Sequence, residues 1–399
     1  LKGVRVIESA SLLITPAVTQ HLANEGADVI KLEGPGRGDY LRDFLGQIKP
    51  HRRGHSPAYL RINSNKRSAA VDLKTSEGQG IFSKLLGTSD VFFDGNMVGA
   101  VERLGLGYKD LVKAKPDIIY ARLSGFGSTG PYAKVPTHGM SMHAVAGGLV
   151  VERRPDGYFS QTGGNTGTGW GGVWDTAFAI AAALYRREKT GKGAYIDVGV
   201  ADASVNVPLV SPDRIAQDDS GVLGSGYGGD NPKYNFYETA DGRVVLAALI
   251  EHHFYEHFCR GVGREDLLEE GKGFKSTLLP IDWGPESLRV ELRDIFITKT
   301  SAEWMTFAAE HDTAIAVVNT ASDLATDPHL SVRQAVVEHE HPTGGVLAYA
   351  GNSIKVEGEQ FEITHHAPAL GEDTVEILTE LGYGPEQVDE WKASGVVAF

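Results

Sequence analysis

A single cysteine, Cys259, occurs in 399 residues. One thiol excludes an internal disulfide and fits a reducing compartment. Positive charge is also scarce: 38 Lys and Arg stand against 52 Asp and Glu, a formal net charge of −14 at pH 7. That balance opposes nucleic acid and anionic membrane surfaces as partners, so an anionic partner has to be small and met by a local basic cleft. No apolar run approaches the length that spans a bilayer. The first one, residues 4–14, is broken by Arg5 and Glu8 and lacks the layout of a signal peptide. A cytoplasmic protein is expected. There is no internal repeat and no low-complexity segment, and the length suffices for two or three domains with a large core.

What is present is alternation. Short apolar runs at 4–8, 27–32, 68–73, 90–93 and 118–123 read as strands, and stretches of helical spacing at 16–24, 76–86 and 108–113 lie between them. This pattern predicts an α/β fold with a parallel sheet covered on both faces, a Rossmann-like half whose ligands lie at the C-terminal ends of the strands. The pattern changes after about Asp202, and residues rich in Gly, Asp, Ser and Pro then read as a connection. A hairpin signal at 234–250 and helices at 251–260, 287–297 and 302–310 predict a smaller α+β domain. The expected division is a large domain over 1–205, a linker over 206–230, a small domain over 231–320, and a return to the large domain over 321–399.

Residues 169–200 form the centre of the chain. From Thr176 to Leu184 small and apolar residues dominate, as in a helix buried on several sides, and Arg186, Arg187, Glu188 and Lys189 bring its end to the surface before Gly191. Asp175 stands at the start of that helix, where a carboxylate is either an N-terminal cap or a reactive acid.

Other stretches carry candidate chemistry. Leu32-Glu-Gly-Pro-Gly-Arg-Gly-Asp39 follows a strand; it is either a phosphate-binding turn or a plain glycine-rich one, and it lacks the spacing of a dinucleotide fingerprint. Asn65-Lys-Arg67, Lys74 and Arg103 are cations that could gather around a phosphate-bearing ligand or simply face solvent. Ser124-Gly-Phe-Gly-Ser-Thr-Gly-Pro-Tyr132 lies at a strand end, and His138 beyond it is a structural histidine or a base. His253-Phe-Tyr-Glu256-His257 matches an inverted zinc-peptidase pattern, discounted because so short a pattern arises by chance and no other peptidase feature accompanies it. Glu251, directly after a strand, is better placed to line a cleft.

Several stretches together resemble the family III CoA-transferases, the CaiB/BaiF group, which also contains α-methylacyl-CoA racemase. They include Leu1-Lys-Gly-Val-Arg-Val-Ile-Glu8, Gly26-Ala-Asp-Val-Ile-Lys-Leu-Glu33, Glu102-Arg-Leu-Gly-Leu-Gly-Tyr108, Thr190-Gly-Lys-Gly193 and Leu370-Gly-Glu-Asp-Thr374, and they run through nearly the whole chain in order. The resemblance implies a large Rossmann-like domain built from both ends of the chain, a smaller α+β domain between, and a homodimer whose subunits interlock like linked rings. It implies acyl-CoA and a small carboxylic acid as partners, coenzyme A as part of the substrate, no metal, and CoA contacts near Arg42, Val71, Lys74, Asn96 and Arg103. It further implies an aspartate that attacks the donor thioester and passes through an aspartyl-CoA thioester. In the racemase branch a histidine and an aspartate move the proton α to the thioester, and His138 and Glu251 match the positions of the racemase histidine and of the glutamate beside its aspartate.

One departure stands out. The family's aspartate lies about fifteen or sixteen residues before the Leu that closes Ala-Ala-Leu, which here falls on Gly169 or Thr168. Asp175 is about 10 Å further along at the helical rise. Asp175 is therefore the candidate nucleophile, with two alternatives: a racemase-like isomerase using His138, or a CoA-binding subunit that is itself catalytically silent.

Overall fold

In a parallel sheet covered on both faces, alternate side chains of each strand must find an apolar layer on opposite sides. The strands here have that character. A computed structural model describes residues 1–43, 56–164, 169–206, 231–270, 284–342 and 345–399. The chain divides into two compact units, residues 1–212 with 331–399, and residues 213–330. All but residue 206 of the expected linker 206–230 lies outside the described residues.

The first unit opens with β1 (Arg5–Ser9), α1 (Ile14–Asn24), β2 (Asp28–Glu33), α2 (Pro57–Asn63), β3 (Lys66–Val71), α3 (Ser76–Gly87), β4 (Val91–Asp94), α4 (Tyr108–Ala114) and β5 (Ile119–Ser124). It continues through α5 (Ser141–Val145), β6 (Leu149–Arg153), β7 (Phe159–Gly164), α6 (Gly169–Thr190), β8 (Ala194–Gly199) and α7 (Val200–Val205). On one face of the sheet Ile7, Ile30, Phe92 and Tyr120 pack against Ile81, Phe82 and Leu85 of α3. On the other, Val6, Val29, Val91 and Ile119 pack against Val18 and Leu22 of α1 and Val173, Ile180 and Leu184 of α6. Each fully buried side chain of this size contributes about 1.5–3 kcal/mol. Helix α3 begins where the Thr75 hydroxyl accepts the Gly78 amide at 3.0 Å, satisfying one of the first-turn donors.

Two features depart from the sequence reading. Helix α6 is buried along one side only; Trp174, Phe178 and Tyr185 on its other side are 60, 76 and 68 % exposed. Val173, Ile180, Ala183 and Leu184 lie in the layer shared with α1 and the sheet while those aromatics face away. The β6–β7 hairpin is antiparallel, with Arg154 N–H donating to Tyr158 O at 2.7 Å, and the Pro155-Asp-Gly157 turn is the signal that marks it.

The second unit contains β9 (Tyr234–Glu238), β10 (Val244–Ala248), α8 (His252–Gly261), α9 (Leu288–Phe296), α10 (Ser301–Glu310) and β11 (Ile315–Val317). Its antiparallel sheet, in the order β11-β10-β9, covers a core built on Phe258, Phe296 and Trp304. A Thr300–Glu303 capping box starts α10.

Beyond it, β12 (Val336–His341) and β13 (Gly345–Ala350) pair with each other, and α11 (Thr374–Glu380), α12 (Pro385–Ala393) and β14 (Val397–Ala398) follow. Helices α11 and α12 place Ile377, Leu378, Val388 and Trp391 in the same layer as α3. Strand β14 adds antiparallel to β3, which completes a seven-stranded sheet in the order β14-β3-β2-β1-β4-β5-β8, parallel elsewhere. The result is a mixed α/β protein with a central, mostly parallel sheet. Among the described residues no helix is long and apolar enough to cross a membrane.

Candidate active site

The strand order reverses between β1 and β4: the chain builds outward through β2 and β3, then returns to start β4 on the other side of β1. Loops leaving adjacent strands in opposite directions open a crevice at their C-terminal ends, where ligands of open α/β sheets bind. A cavity of about 340 Å³ lies there. Its walls come from residues 11–15 after β1, 95–98 after β4, 123–126 at the end of β5, and Ala133 and 135–139, with Leu41, Met142 and Val200.

Backbone geometry fixes those walls. Leu12 has φ of 70°, a conformation costly for a branched residue, and its N–H donates to Asp39 Oδ1 at 2.9 Å. A Cβ on Gly125 would lie 2.4 Å from the Thr137 side chain, so glycine at that position lets the segment bearing Thr137 and His138 close onto the end of β5.

The segment 11–15 is also clamped from beneath by buried charges. Glu8 Oε1 meets Lys31 Nζ at 2.7 Å and Glu8 Oε2 meets Lys66 Nζ at 2.8 Å; Lys31 further pairs with Asp39 at 2.9 Å, and all of these side chains are fully buried. Lys31 donates to Ala10 O at 2.9 Å and Lys66 to Pro16 O at 2.8 Å, the two carbonyls that bracket the wall. The Thr19 hydroxyl donates to Glu8 as well. Two carboxylates thus face two ammonium groups, which is how a protein tolerates such charges without water. Burial pushes the Glu8 carboxyl up, but the two lysines outweigh it and bring it down to about 2. Burial drives the Lys66 ammonium down to about 8, because Glu8 raises it only in part and Lys31 adds to the fall.

The expected phosphate-binding cations separate into two groups. Lys66 belongs to the buried network, and Arg67 is held by Asp28 at 2.8 Å and Glu380 at 2.7 Å. Arg42 is buried: it binds both oxygens of Glu33, at 3.0 and 2.6 Å, donates to Pro368 O at 2.8 Å, and lies 4.2 Å over the Tyr59 ring. Glu33 also takes the Asp39 amide at 2.8 Å, so the glycine-rich turn after β2 spends that donor internally rather than presenting it to a phosphate.

Lys74 and Arg103, in contrast, are exposed. Gln79 Nε2 reaches both Leu73 O at 3.4 Å and Leu104 O at 3.3 Å, which brings the neighbours of those residues, Lys74 and Arg103, to one edge of the unit. Val71 is buried at the end of β3. Asn96 lines the cavity and is fixed by its side-chain donation to Ser9 O at 2.8 Å and its backbone donation to Asp94 at 2.9 Å. The same Asp94 accepts from Tyr120 at 2.9 Å and from Arg122 Nε at 2.8 Å, and Arg122 pairs with Glu102 at 2.7 Å, next to Arg103. This network is absent from the sequence reading; acids and an arginine inside apolar strands are its signal, since each needs a buried partner.

His138 lines the cavity and is itself exposed. Asp175 is exposed on α6 and is not part of the cavity wall. Because α6 begins at Gly169, Asp175 lies beyond the four donors that a cap satisfies, which removes the capping role. Gly169 is the nearer position: a Cβ there would meet Ile14 Cδ1 at 3.0 Å and Val200 Cγ1 at 3.8 Å, both residues of the wall. Thr168 lies outside the described residues. Glu251 belongs to the second unit, ahead of α8. In the zinc-like pattern, Glu256 is paired with Arg260 at 2.6 Å and His257 Nδ1 lies 2.9 Å from Asp312 O.

A sheet ordered 3-2-1-4-5 with a cavity at its switch point is an α/β fold of the kind that binds its ligands there. Residues 1–374 match the family described as CoA-transferase family III, and the chain belongs to it, as an enzyme of that class. It is 31 % identical to the succinyl-CoA:mesaconate CoA-transferase of Haloarcula hispanica over 96 % of this chain and 97 % of that protein. It is 28 % identical to human succinyl-CoA:glutarate CoA-transferase over 100 % of this chain and 90 % of that one. The crystal structure of a CaiB/BaiF family protein from Brucella suis matches with a TM-score of 0.76 at 23 % identity, covering 95 % of this chain and 98 % of that one, and so shares the fold.

Proposed function

We propose that this chain transfers CoA from an acyl-CoA donor to a carboxylate acceptor with Asp175 as nucleophile, the CoA lying along the edge that carries Lys74 and Arg103 and the acyl end in the cavity. The observation that carries the reading is a cavity at the switch point of the sheet, with Asn96 in its wall, in a chain of this family. The Asp175 carboxylate attacks the thioester carbonyl, giving a mixed anhydride and CoA thiolate. The thiolate then attacks the aspartyl carbonyl and releases the donor acid, leaving an aspartyl-CoA thioester. The acceptor carboxylate reverses both steps and regenerates Asp175, with no net proton change. In this reading a second copy covers the exposed aromatic side of α6 in an interlocked homodimer.

The test is exchange between an acyl-CoA and a labelled carboxylate by the purified protein, with trapping of a hydroxylamine-sensitive enzyme-CoA adduct. The Arg103 side chain has no hydrogen bond or ion pair among the described residues, so Arg103→Ala is expected to weaken CoA binding roughly 1.5- to 5-fold, the range of an exposed charge pair, with an unchanged melting temperature. Unaltered affinity in isothermal titration removes Arg103 from the CoA site.

A second reading is favoured by one observation: among the described residues no carboxylate lines the cavity, and glycine stands at 169. The chain then binds CoA but needs a partner subunit for chemistry, and the purified protein binds CoA without exchange. Deuterium entering the α position of an acyl-CoA without exchange points instead to proton transfer by His138.

A further inference from the structure

Most of the cavity wall is apolar. Leu12, Leu13, Ile14, Met97, Phe126 and Met142 supply it, and no Lys, Arg, Asp or Glu lines it among the described residues. Its ionisable side chain, His138, is exposed, so any charge it carries is shared with solvent. The relatives above are named for succinyl, glutaryl and mesaconyl groups, each of which carries a second carboxylate. Such a group entering this cavity meets no Lys or Arg of the described wall, and burial of an unpaired carboxylate is unfavourable.

Ser11, Thr15, Asn96, Ser124, Thr137 and His138 interrupt the apolar surface, and one of them has an unsatisfied buried hydroxyl. Ser124 Oγ, at the end of β5, is buried and has no hydrogen-bond partner among the described residues, and Ser124 lines the cavity. A buried hydroxyl without a partner is uncommon and marks a place where a ligand supplies one. At about 340 Å³ the cavity is of the size that takes small-molecule ligands.

We propose that the cavity takes an uncharged, apolar acyl group, branched aliphatic or aryl, whose thioester carbonyl accepts a hydrogen bond from Ser124. This rests on the CoA reading and narrows its donor. The experiment titrates the protein with free CoA, isovaleryl-CoA, phenylacetyl-CoA and succinyl-CoA. The two apolar esters are expected to bind at least tenfold tighter than free CoA, and succinyl-CoA no tighter than free CoA. Binding of CoA with no gain from either apolar ester, or with succinyl-CoA preferred, overturns the inference and leaves the CoA reading standing. No binding of CoA or any ester overturns both.

Leu13→Arg places a cation at a partly exposed position of the wall and is expected to raise succinyl-CoA affinity about tenfold while abolishing the phenylacetyl advantage. An unchanged preference in a folded Leu13→Arg protein places the acyl group elsewhere. Ser124→Ala is expected to weaken both apolar esters about threefold and leave free CoA unaffected; equal loss for all ligands assigns Ser124 a structural role.

Discussion

Replacing Asp175 by alanine is expected to lower CoA exchange by roughly 10³-fold or more, the scale on which loss of a nucleophile registers, while free CoA binds as before. The side chain is exposed on α6, so its removal leaves the core intact and a folded protein is expected. The geometry makes this a demanding test. Asp175 lies six residues beyond Gly169, about 9 Å along the helix, and is not part of the cavity wall, whereas Gly169 and Gly172 lie against wall residues. An undiminished rate in Asp175→Ala therefore eliminates this acid. The companion variant is Gly169→Asp, which inserts a carboxylate where the family count falls. Its Cβ is tight only against the tip of Ile14 at 3.0 Å, a side chain that can give, and is in ordinary contact with His143 and Val200 at 3.8 Å. A large gain of exchange in Gly169→Asp, with Asp175→Ala silent in effect, assigns this chain to the CoA-binding subunit reading.

Glu8→Ala is expected to destabilise the protein by about 3–5 kcal/mol, the usual cost of removing one member of a buried ionic group. Lys31 and Lys66 would then face each other across a dry site with only Asp39 to balance them. Against a total stability of about 5–15 kcal/mol that loss is large, and a denaturant midpoint measures it; a shift under about 1 kcal/mol means that water enters the site and the lysines are not desolvated.

The pH dependence follows from the same groups. Glu8 falls from its ordinary 4.5 to about 2 in the fold, so its stabilisation is complete above 4.5 and is lost as pH drops toward 2. Lys66 falls from 10.5 to about 8, so between those values the unfolded chain binds more protons and stability rises with pH. Lys66→Met is expected to flatten that alkaline rise. If the rise between pH 8 and 10.5 survives the substitution, Lys66 is not its source.

These residues also show where the sequence is readable and where it is not. Strands β1, β2, β4 and β5 are visible as short apolar runs, Val6-Ile7, Val29-Ile30, Val91-Phe-Phe93 and Ile119-Tyr-Ala121, that alternate with helical spacing, whereas the strand order that opens the cavity is not written in that alternation. Lys66 and Arg67 look like surface cations because spacing along the chain carries no information about Glu8 or Glu380, far away in sequence. The half-buried state of α6 is hidden for a different reason: Trp174 and Phe178 are as apolar as a core residue, and composition alone does not say which side meets the sheet. Strand β14 is too short for any periodicity to mark it. For the candidate site, Asn96 enters through the family resemblance and His138 through its place beyond the stretch after β5, and both line the cavity, whereas Ser124 becomes conspicuous only once its hydroxyl is found without a partner.

The pairing of Val397 and Ala398 with Val71 and Ala70 bears on how the protein is made. During translation β3 emerges early and stays an open edge, able to template a wrong neighbour, until residues 397 and 398 leave the ribosome. Helices α11 and α12, which cover the same sheet, arrive equally late. Nascent chains stalled before residue 370 should accordingly be protease-sensitive across the first unit, and ribosome-bound chaperones have most to protect there.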